Sequence, residues 1–135
     1  MPVTICFDAS FLMLAAKFHV DVVSEVERLL QRRIEFTVPD VVIGELERLA
    51  QSPGAQGRDA RVGLELVSTR NIRLIRTGER SNADRALIEA SGHPNVIVAT
   101  TDLALRRIIR EAGKPVIIFR EKAKLELDGI EASYW

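Results

Sequence analysis

Two acidic residues stand where the chain leaves predicted buried strands. Asp8 follows the apolar run at 3–7, and Asp102 follows the run at 96–101. Ligands of open α/β sheets bind outside the carboxyl ends of the strands, so both carboxylates are candidates for binding chemistry. An aspartate after a strand also caps the next helix, and that interpretation stays open for each.

Glu45 lies on the apolar face of a predicted helix. Its neighbours three and four positions away are Val41, Val42 and Leu49, which should face the core. A carboxylate on that face must be paired, protonated or metal-bound, because burying it alone is costly. Glu47, on the opposite face, is predicted to lie at the surface.

Asp84 has two interpretations. It lies beside an apolar stripe that contains Leu87 and Ile88, which favours a role in the site. The segment Ser81-Asn-Ala-Asp84 also matches a capping box, in which Asp84 would only stabilise the start of a helix.

The four acids together predict a site for a hard divalent cation. If they converge, their like charges raise one another's pKa and require neutralising cations. Oxygen ligands without histidine or cysteine suit Mg²⁺ or Mn²⁺ and disfavour zinc. A cation of this kind is the usual partner of phosphate chemistry, in which it activates water and steadies a leaving oxygen.

The elements that position these acids alternate between two periodicities. Short β-rich runs lie at 3–7, 34–38, 72–75, 96–99 and 116–119. Helical patterns lie at 10–16, from Asp21 to Leu30, 40–50, 59–68, 82–91 and 103–112, and the segment Ser52–Gly57 is the clearest predicted loop. This alternation predicts an α/β domain with a mostly parallel sheet of about five strands and helices on both faces. The tail after Arg120 suggests a short strand or hairpin.

Composition excludes several classes of protein. The 135 residues include 19 basic and 19 acidic side chains, so the net charge of zero argues against a polybasic coat protein. With 47% apolar residues, the chain is expected to fold as a single domain over 1–135. The single cysteine, Cys6, excludes an internal disulfide. We expect a cytoplasmic protein without a membrane span or secretory signal.

The ordered set of motifs resembles the PIN-domain ribonucleases over nearly the whole chain. The resemblance is carried by Phe7–Ser10, Glu45-Leu46, Ala83-Asp84 and the segment Ala99–Arg106. It implies a three-layer α/β fold and metal-dependent endonuclease cleavage of RNA, which leaves a 5′-phosphate and a 3′-hydroxyl.

The resemblance also assigns residues. The family's acidic quartet falls on Asp8, Glu45, Asp84 and Asp102, which would bind Mg²⁺ or Mn²⁺. Ser10 and Thr100 would orient waters or carboxylates, although helix capping and strand-end hydrogen bonding explain them as well. Thr101 stands where many members have asparagine. Phosphate contacts are expected from four arginines, for which a solvated helix face is the alternative: Arg80, Arg106, Arg107 and Arg110.

Two roles within the family fit the chain. One is a VapC-type toxin with an antitoxin protein as partner, and the other is trimming of ribosomal RNA in a pre-ribosomal particle. A homodimer is common among such proteins. The alternative is a non-catalytic module that acts as an RNA-binding or ribosome-assembly scaffold.

Two other α/β classes fit less well. A phosphate-acceptor receiver domain needs an acidic doublet after the first strand, where this chain has Phe7 before Asp8. A haloacid-dehalogenase-type phosphatase needs an aspartate at the position of Ser10.

Overall fold

The computed structural model describes residues 2–77, 82–121 and 124–129. In this part of the chain, strands and helices alternate as the sequence predicts. The strands are β1 (Val3–Phe7), β2 (Ile34–Pro39), β3 (Arg73–Ile75), β4 (Val96–Ala99), β5 (Val116–Arg120) and β6 (Lys124–Asp128). The helices are α1 (Ala9–Lys17), α2 (Val22–Leu30), α3 (Asp40–Leu49), α4 (Gly54–Thr69), α5 (Ala83–Ser91) and α6 (Leu103–Glu111).

The sheet has the strand order β3-β2-β1-β4-β5-β6. Strands β1 to β5 pair in parallel, and β6 pairs antiparallel with β5. The mostly parallel α/β prediction is confirmed, and the predicted tail hairpin adds a sixth strand. The chain builds the sheet outward from β1 in one direction through β2 and β3, and in the other through β4 and β5. The carboxyl ends of β1 and β4 therefore form the switch point at which such sheets bind ligands.

Helices cover both faces of the sheet. Phe7 of β1 stacks on Phe11 of α1, with ring centroids 5.8 Å apart. Thr4 of the same strand lines a cleft with Ala86 and Ala90 of α5. Because side chains alternate along a strand, residues three positions apart point to opposite faces, so α1 and α5 lie on opposite sides of the sheet.

The core fixes the position of the β1–α1 junction. Phe11 is fully buried and contacts Phe119 of β5 at 4.6 Å between centroids, as well as Phe7. Cys6 is also fully buried, which confirms its interpretation as a small core residue, and burial raises the pKa of its thiol to about 11. The packing on both sides of Asp8 leaves that residue little freedom to move.

The predicted loop at Ser52–Gly57 is too long, because residues 52 and 53 lie between the helices but α4 begins at Gly54. A Cβ at Gly57 would lie 1.9 Å from the Ser52 carbonyl oxygen, so this glycine permits a close approach of the backbone. Arg61 donates to a carbonyl at the end of α3 at 2.8 Å, which ties α3 and α4 together. The glycines that indicated a loop therefore serve a tight connection between two helices.

No helix in the described ranges is long and apolar enough to cross a membrane.

Candidate active site

Asp8 is held at the junction of β1 and α1 by three donors. Its Oδ1 accepts from the Ala9 backbone N–H at 2.8 Å. Its Oδ2 accepts from the Ser10 hydroxyl at 3.0 Å and from the Thr100 hydroxyl at 2.6 Å. The side chain is 6% exposed. A buried carboxylate with this many fixed donors has one orientation.

Thr100 joins the ends of β1 and β4. It is fully buried, donates to Asp8, and accepts from the Asp102 backbone N–H at 3.0 Å. The Thr101 backbone N–H donates to the Ser10 hydroxyl at 3.3 Å. Thr100 and Thr101 thus follow β4, Ser10 lies in the first turn of α1, and both Ser10 and Thr100 hydrogen-bond Asp8 directly.

Asp102 caps α6 with one carboxylate oxygen and leaves the other free. Its Oδ1 accepts from the backbone N–H groups of Ala104 and Leu105 at 2.9 and 3.2 Å. Its Oδ2 makes no hydrogen bond within the described part of the chain, and the side chain is half-buried. Asp8 likewise caps α1. The capping interpretation therefore holds for both residues, and each retains an oxygen directed elsewhere.

The charges of Asp8, Glu45 and Asp84 act on one another. Burial raises the pKa of the Glu45 carboxyl, and the charges of Asp8 and Asp84 raise it further, while Arg48 lowers it. Burial also raises the pKa of Asp8 against the opposing effect of its hydrogen bonds, and Asp84 adds to the rise. Three predicted site acids thus share one electrostatic field, which favours the binding of a cation. Glu47 is exposed, as predicted.

The capping-box interpretation of Asp84 is wrong. The residue that caps α5 is Asn82, whose side chain accepts from the Arg85 backbone N–H at 2.8 Å. Asp84 therefore lies in the first turn of α5, one position too early for the box, and its side chain is exposed. Its carboxylate is available to a ligand.

A fifth acid lies at this edge and is not among the four predicted from the sequence. Asp40 follows β2 and accepts at Oδ1 from the Thr77 hydroxyl at 2.6 Å and the Thr77 backbone N–H at 3.2 Å. These bonds, chiefly the hydroxyl one, lower the pKa of Asp40. The signal was present, because Asp40 follows a strand as Asp8 does. Its bonds hold the chain after β3, so we assign it a positioning role.

The predicted phosphate-binding arginines differ in their environments. Arg106 and Arg110 lie 2.9 and 3.6 Å from the Asp128 carboxylate. Arg107 is exposed. Arg80 lies outside the described residues.

The donor set fits a hard divalent cation in chemistry. The side chains offered at this edge are carboxylates and hydroxyls, and Mg²⁺ is commonly bound by one or two carboxylates together with waters. Within residues 2–77, 82–121 and 124–129, no group of three or more Asp, Glu, His or Cys side chains is arranged to hold a metal ion. The predicted quartet is thus an open arrangement in which Asp8 and Asp102 are linked through Thr100.

Comparisons with known proteins agree with this fold. Residues 5–122 match the family described as PIN like domain. The chain is 32% identical over 125 residues to ribonuclease VapC4 of Methanocaldococcus jannaschii, which covers 91% of this chain and 95% of that protein.

Two solved structures share the fold. The PIN domain endonuclease Utp24 superposes with a TM-score of 0.80 at 21% identity, over 96% of this chain and 93% of that one. A domain of a functionally unknown protein from Methanocaldococcus jannaschii gives a TM-score of 0.59 at 18% identity, over 96% and 99%. The strand order, the acids at the switch point and the match over residues 5–122 lead to one conclusion: the chain belongs to the PIN-like domain family.

Proposed function

We propose that this protein is an endoribonuclease that hydrolyses phosphodiester bonds of RNA with Mg²⁺ or Mn²⁺ as its cofactor. The observation that carries the proposal is the position of Asp8, a buried carboxylate oriented by Ser10 and Thr100 at the switch point of the sheet. The similarity to a relative named as a ribonuclease supports the same activity. In this proposal residues 1–135 form a single nuclease domain.

Asp8 and Asp102 would hold the cation, and Glu45 and Asp84 would complete the site directly or through water. When bound, such a cation lowers the pKa of a coordinated water and stabilises charge on phosphate oxygens. Thr100 hydrogen-bonds both the Asp8 carboxylate and the Asp102 backbone N–H and so fixes their relative position. Ser10 holds the same Asp8 oxygen and the Thr101 backbone. The chain thereby presents preorganised acceptors, which is the main protein contribution in a metal-assisted hydrolysis.

The test compares wild type with Asp8→Asn and Asp102→Asn on end-labelled RNA, in Mg²⁺, Mn²⁺ or EDTA. We expect cleavage by wild type in either metal, no cleavage in EDTA, and a loss of roughly a hundredfold or more in each variant. Product ends should carry a 5′-phosphate and a 3′-hydroxyl. Equal cleavage by wild type and variants, or activity that survives EDTA, contradicts the proposal.

Two cellular roles follow from the same chemistry. The relative named VapC4 favours a VapC-type toxin whose partner is an antitoxin. The segment from Glu45 to Leu49, with the arginine-rich α6, favours ribosomal RNA processing in a pre-ribosomal particle. A small antitoxin-like reading frame beside the gene, and growth arrest on expression that Asp8→Asn abolishes, would indicate the toxin.

The second candidate function is a non-catalytic scaffold that binds RNA or assembling ribosomes. It is favoured by one observation, the lack of a closed group of three metal ligands among the described residues. RNA binding by wild type without cleavage in either metal would indicate the scaffold.

A further inference from the structure

Leu103 is a large apolar side chain exposed beside the site. It directly follows Asp102, begins α6 and is 72% exposed, the highest value among the large exposed apolar residues of the described chain. A single exposed leucine is ordinary on a protein surface. Leu103 differs from such a residue because it lines two neighbouring clefts.

The two clefts meet at Leu103. One, of about 100 Å³, is lined by Thr100 and Thr101 from the carboxyl end of β4, together with residues of α1 and β5. The other, of about 300 Å³, is lined by the arginines of α6 and by Asp128. Leu103 and Arg106 line both clefts. A polymer that occupies both the Thr100 cleft and the arginine cleft therefore passes beside Leu103 and Arg106.

The arginine cleft contains side chains with two different roles. The Arg106 Nε donates to Asp128 at 2.9 Å. Arg110 donates to the Lys114 carbonyl at 3.0 Å and lies 3.6 Å from Asp128. A Cβ at Gly129 would lie 2.1 Å from the Arg110 guanidinium, so the turn after β6 packs directly on that arginine. These two arginines fasten α6 to β6.

Arg107 differs from its neighbours. Its side chain is exposed, and within the described ranges it makes no hydrogen bond or ion pair. On a helix, positions 103 and 107 lie one turn apart on the same face. An apolar side chain and an exposed guanidinium therefore stand side by side next to Asp102. One nucleotide offers a partner for each, an apolar base face and a phosphate.

We propose that Leu103 packs against a nucleobase next to the scissile phosphate, and that Arg107 binds a phosphate of the same single-stranded RNA. This inference rests on the proposed function, because it takes RNA as the substrate. Single-stranded RNA fits because its bases are free to leave the stack, whereas duplex bases are stacked internally. Contact with a base face is tolerant of sequence, because every base has one.

The test measures binding of a fluorescent single-stranded RNA by anisotropy, in EDTA so that metal-dependent cleavage does not occur. The variants are Leu103→Ala and Arg107→Ala. The matched control is Ile108→Ala, since Ile108 is also exposed (48%) on α6 but lies on another face. We expect Leu103→Ala to weaken binding about fivefold to tenfold at every salt concentration. Arg107→Ala should weaken binding and lower the slope of log K against log salt by about 0.7. Ile108→Ala should bind as wild type does.

A second oligomer, with the same ribose-phosphate backbone but no bases, separates base contact from phosphate contact. Leu103→Ala should lose no affinity for it relative to wild type, whereas Arg107→Ala should lose as much as it does on RNA. Leu103→Phe, which keeps an apolar surface, should retain tight binding of the normal RNA. Circular dichroism of each variant checks that α6 is intact.

Several results would overturn the inference. One is that Leu103→Ala and wild type bind RNA with equal affinity, and another is that Leu103→Ala loses as much affinity for the abasic oligomer as for RNA. The others are that Ile108→Ala loses as much affinity for RNA as Leu103→Ala does, and that wild type does not bind RNA. Wild type that binds RNA with the expected variant pattern but never cleaves it contradicts the proposed endonuclease, and it leaves standing only the contacts of Leu103 with a base and of Arg107 with a phosphate. If wild type cleaves RNA but Leu103→Ala does not weaken binding, the proposed endonuclease stands and this inference is overturned.

Discussion

The Thr100 hydroxyl donates to Asp8 at 2.6 Å and accepts from the Asp102 backbone N–H at 3.0 Å. One buried side chain thus connects two acids that lie far apart in sequence and that follow different strands of the sheet. Because parallel strands β1 and β4 are neighbours, this connection spans the switch point. The relative position of the two acids depends on it.

Thr100→Val should therefore weaken both activity and the fold. Valine keeps the shape of threonine but leaves the part-buried Asp102 N–H without an acceptor and removes a donor from Asp8. We expect the free energy of unfolding to fall by about 1–3 kcal/mol. Mg²⁺ affinity or the cleavage rate should fall about 10- to 100-fold. Thermal melting, metal titration and initial rates measure the three quantities.

Thr100→Ser is the control for this prediction, because it keeps the hydroxyl and removes only a methyl group. It should retain most of the cleavage rate and Mg²⁺ affinity. If Thr100→Val and Thr100→Ser behave alike in metal titration, the hydroxyl does not position the acids.

Glu45→Gln should abolish most cleavage without destabilising the fold. Burial and the negative charges of Asp8 and Asp84 destabilise the ionised Glu45 carboxylate, so they raise the pKa of Glu45. Removing that charge relieves repulsion, so the melting temperature in EDTA should stay equal or rise. Cleavage should fall about tenfold or more if the carboxylate helps to bind the cation. Initial rates over a range of Mg²⁺ concentrations measure this.

The chain offers a matched control two positions away. Glu47 lies on the same helix, but its side chain is exposed. Glu47→Gln makes the same chemical change and should leave cleavage and melting temperature unchanged. Equal rates for the two variants would remove Glu45 from the site.

Asp8→Asn should change how stability depends on pH. The pKa of Asp8 is raised in the folded state above its ordinary value of 3.8, so the folded protein binds this proton more tightly than the unfolded chain does. The protonated form contributes its full stability at pH values below the ordinary pKa of 3.8. This contribution is lost as pH rises through the raised pKa of the folded protein. Asparagine has no such loss. In EDTA, the melting temperature of the variant relative to wild type should therefore increase as pH rises from 3.8 through the raised pKa of Asp8.

Adding Mg²⁺ at neutral pH should reverse the order of the melting temperatures of Asp8→Asn and wild type. A cation that binds only the folded state raises the melting temperature by mass action, and wild type should gain more than Asp8→Asn. A melting difference between the two proteins that stays flat with pH, or an equal gain with Mg²⁺, would argue against an ionised Asp8 that binds the metal.

The sequence predicts the fold well where local pattern and tertiary packing agree. The alternation of apolar strands with helical stripes places β1 and β4 at the observed bounds, because most of their side chains are apolar and buried. It fails at the start of α4, where Gly57 is required for close approach to Ser52. A glycine needed for space and one needed for a turn look alike in a sequence.

The positions of two acids of the candidate site are predictable from the sequence, and the contacts around them are less so. Asp8 and Asp102 follow from the rule that strand ends bind ligands. The contact of Asp128 with Arg106 and Arg110 depends on the packing of β6 against α6, which no local pattern encodes. That contact separates two fastening arginines from Arg107, a distinction that the sequence alone does not make.

Asp40→Ala tests whether the chain after β3 is held by one carboxylate. Asp40 Oδ1 accepts both hydrogen bonds from Thr77, and α5 with Asp84 follows a few residues later. Without the carboxylate, the Thr77 backbone N–H loses its acceptor, and its hydrogen exchange should accelerate about fivefold. Cleavage should fall while the Mg²⁺-free melting temperature changes little, because the two part-buried bonds lie at the edge of the sheet and contribute little to global stability. Thr77→Ser keeps both donors and should behave as wild type. If both hydrogen exchange at Thr77 and cleavage are unchanged in Asp40→Ala, the bonds between Asp40 and Thr77 do not position Asp84.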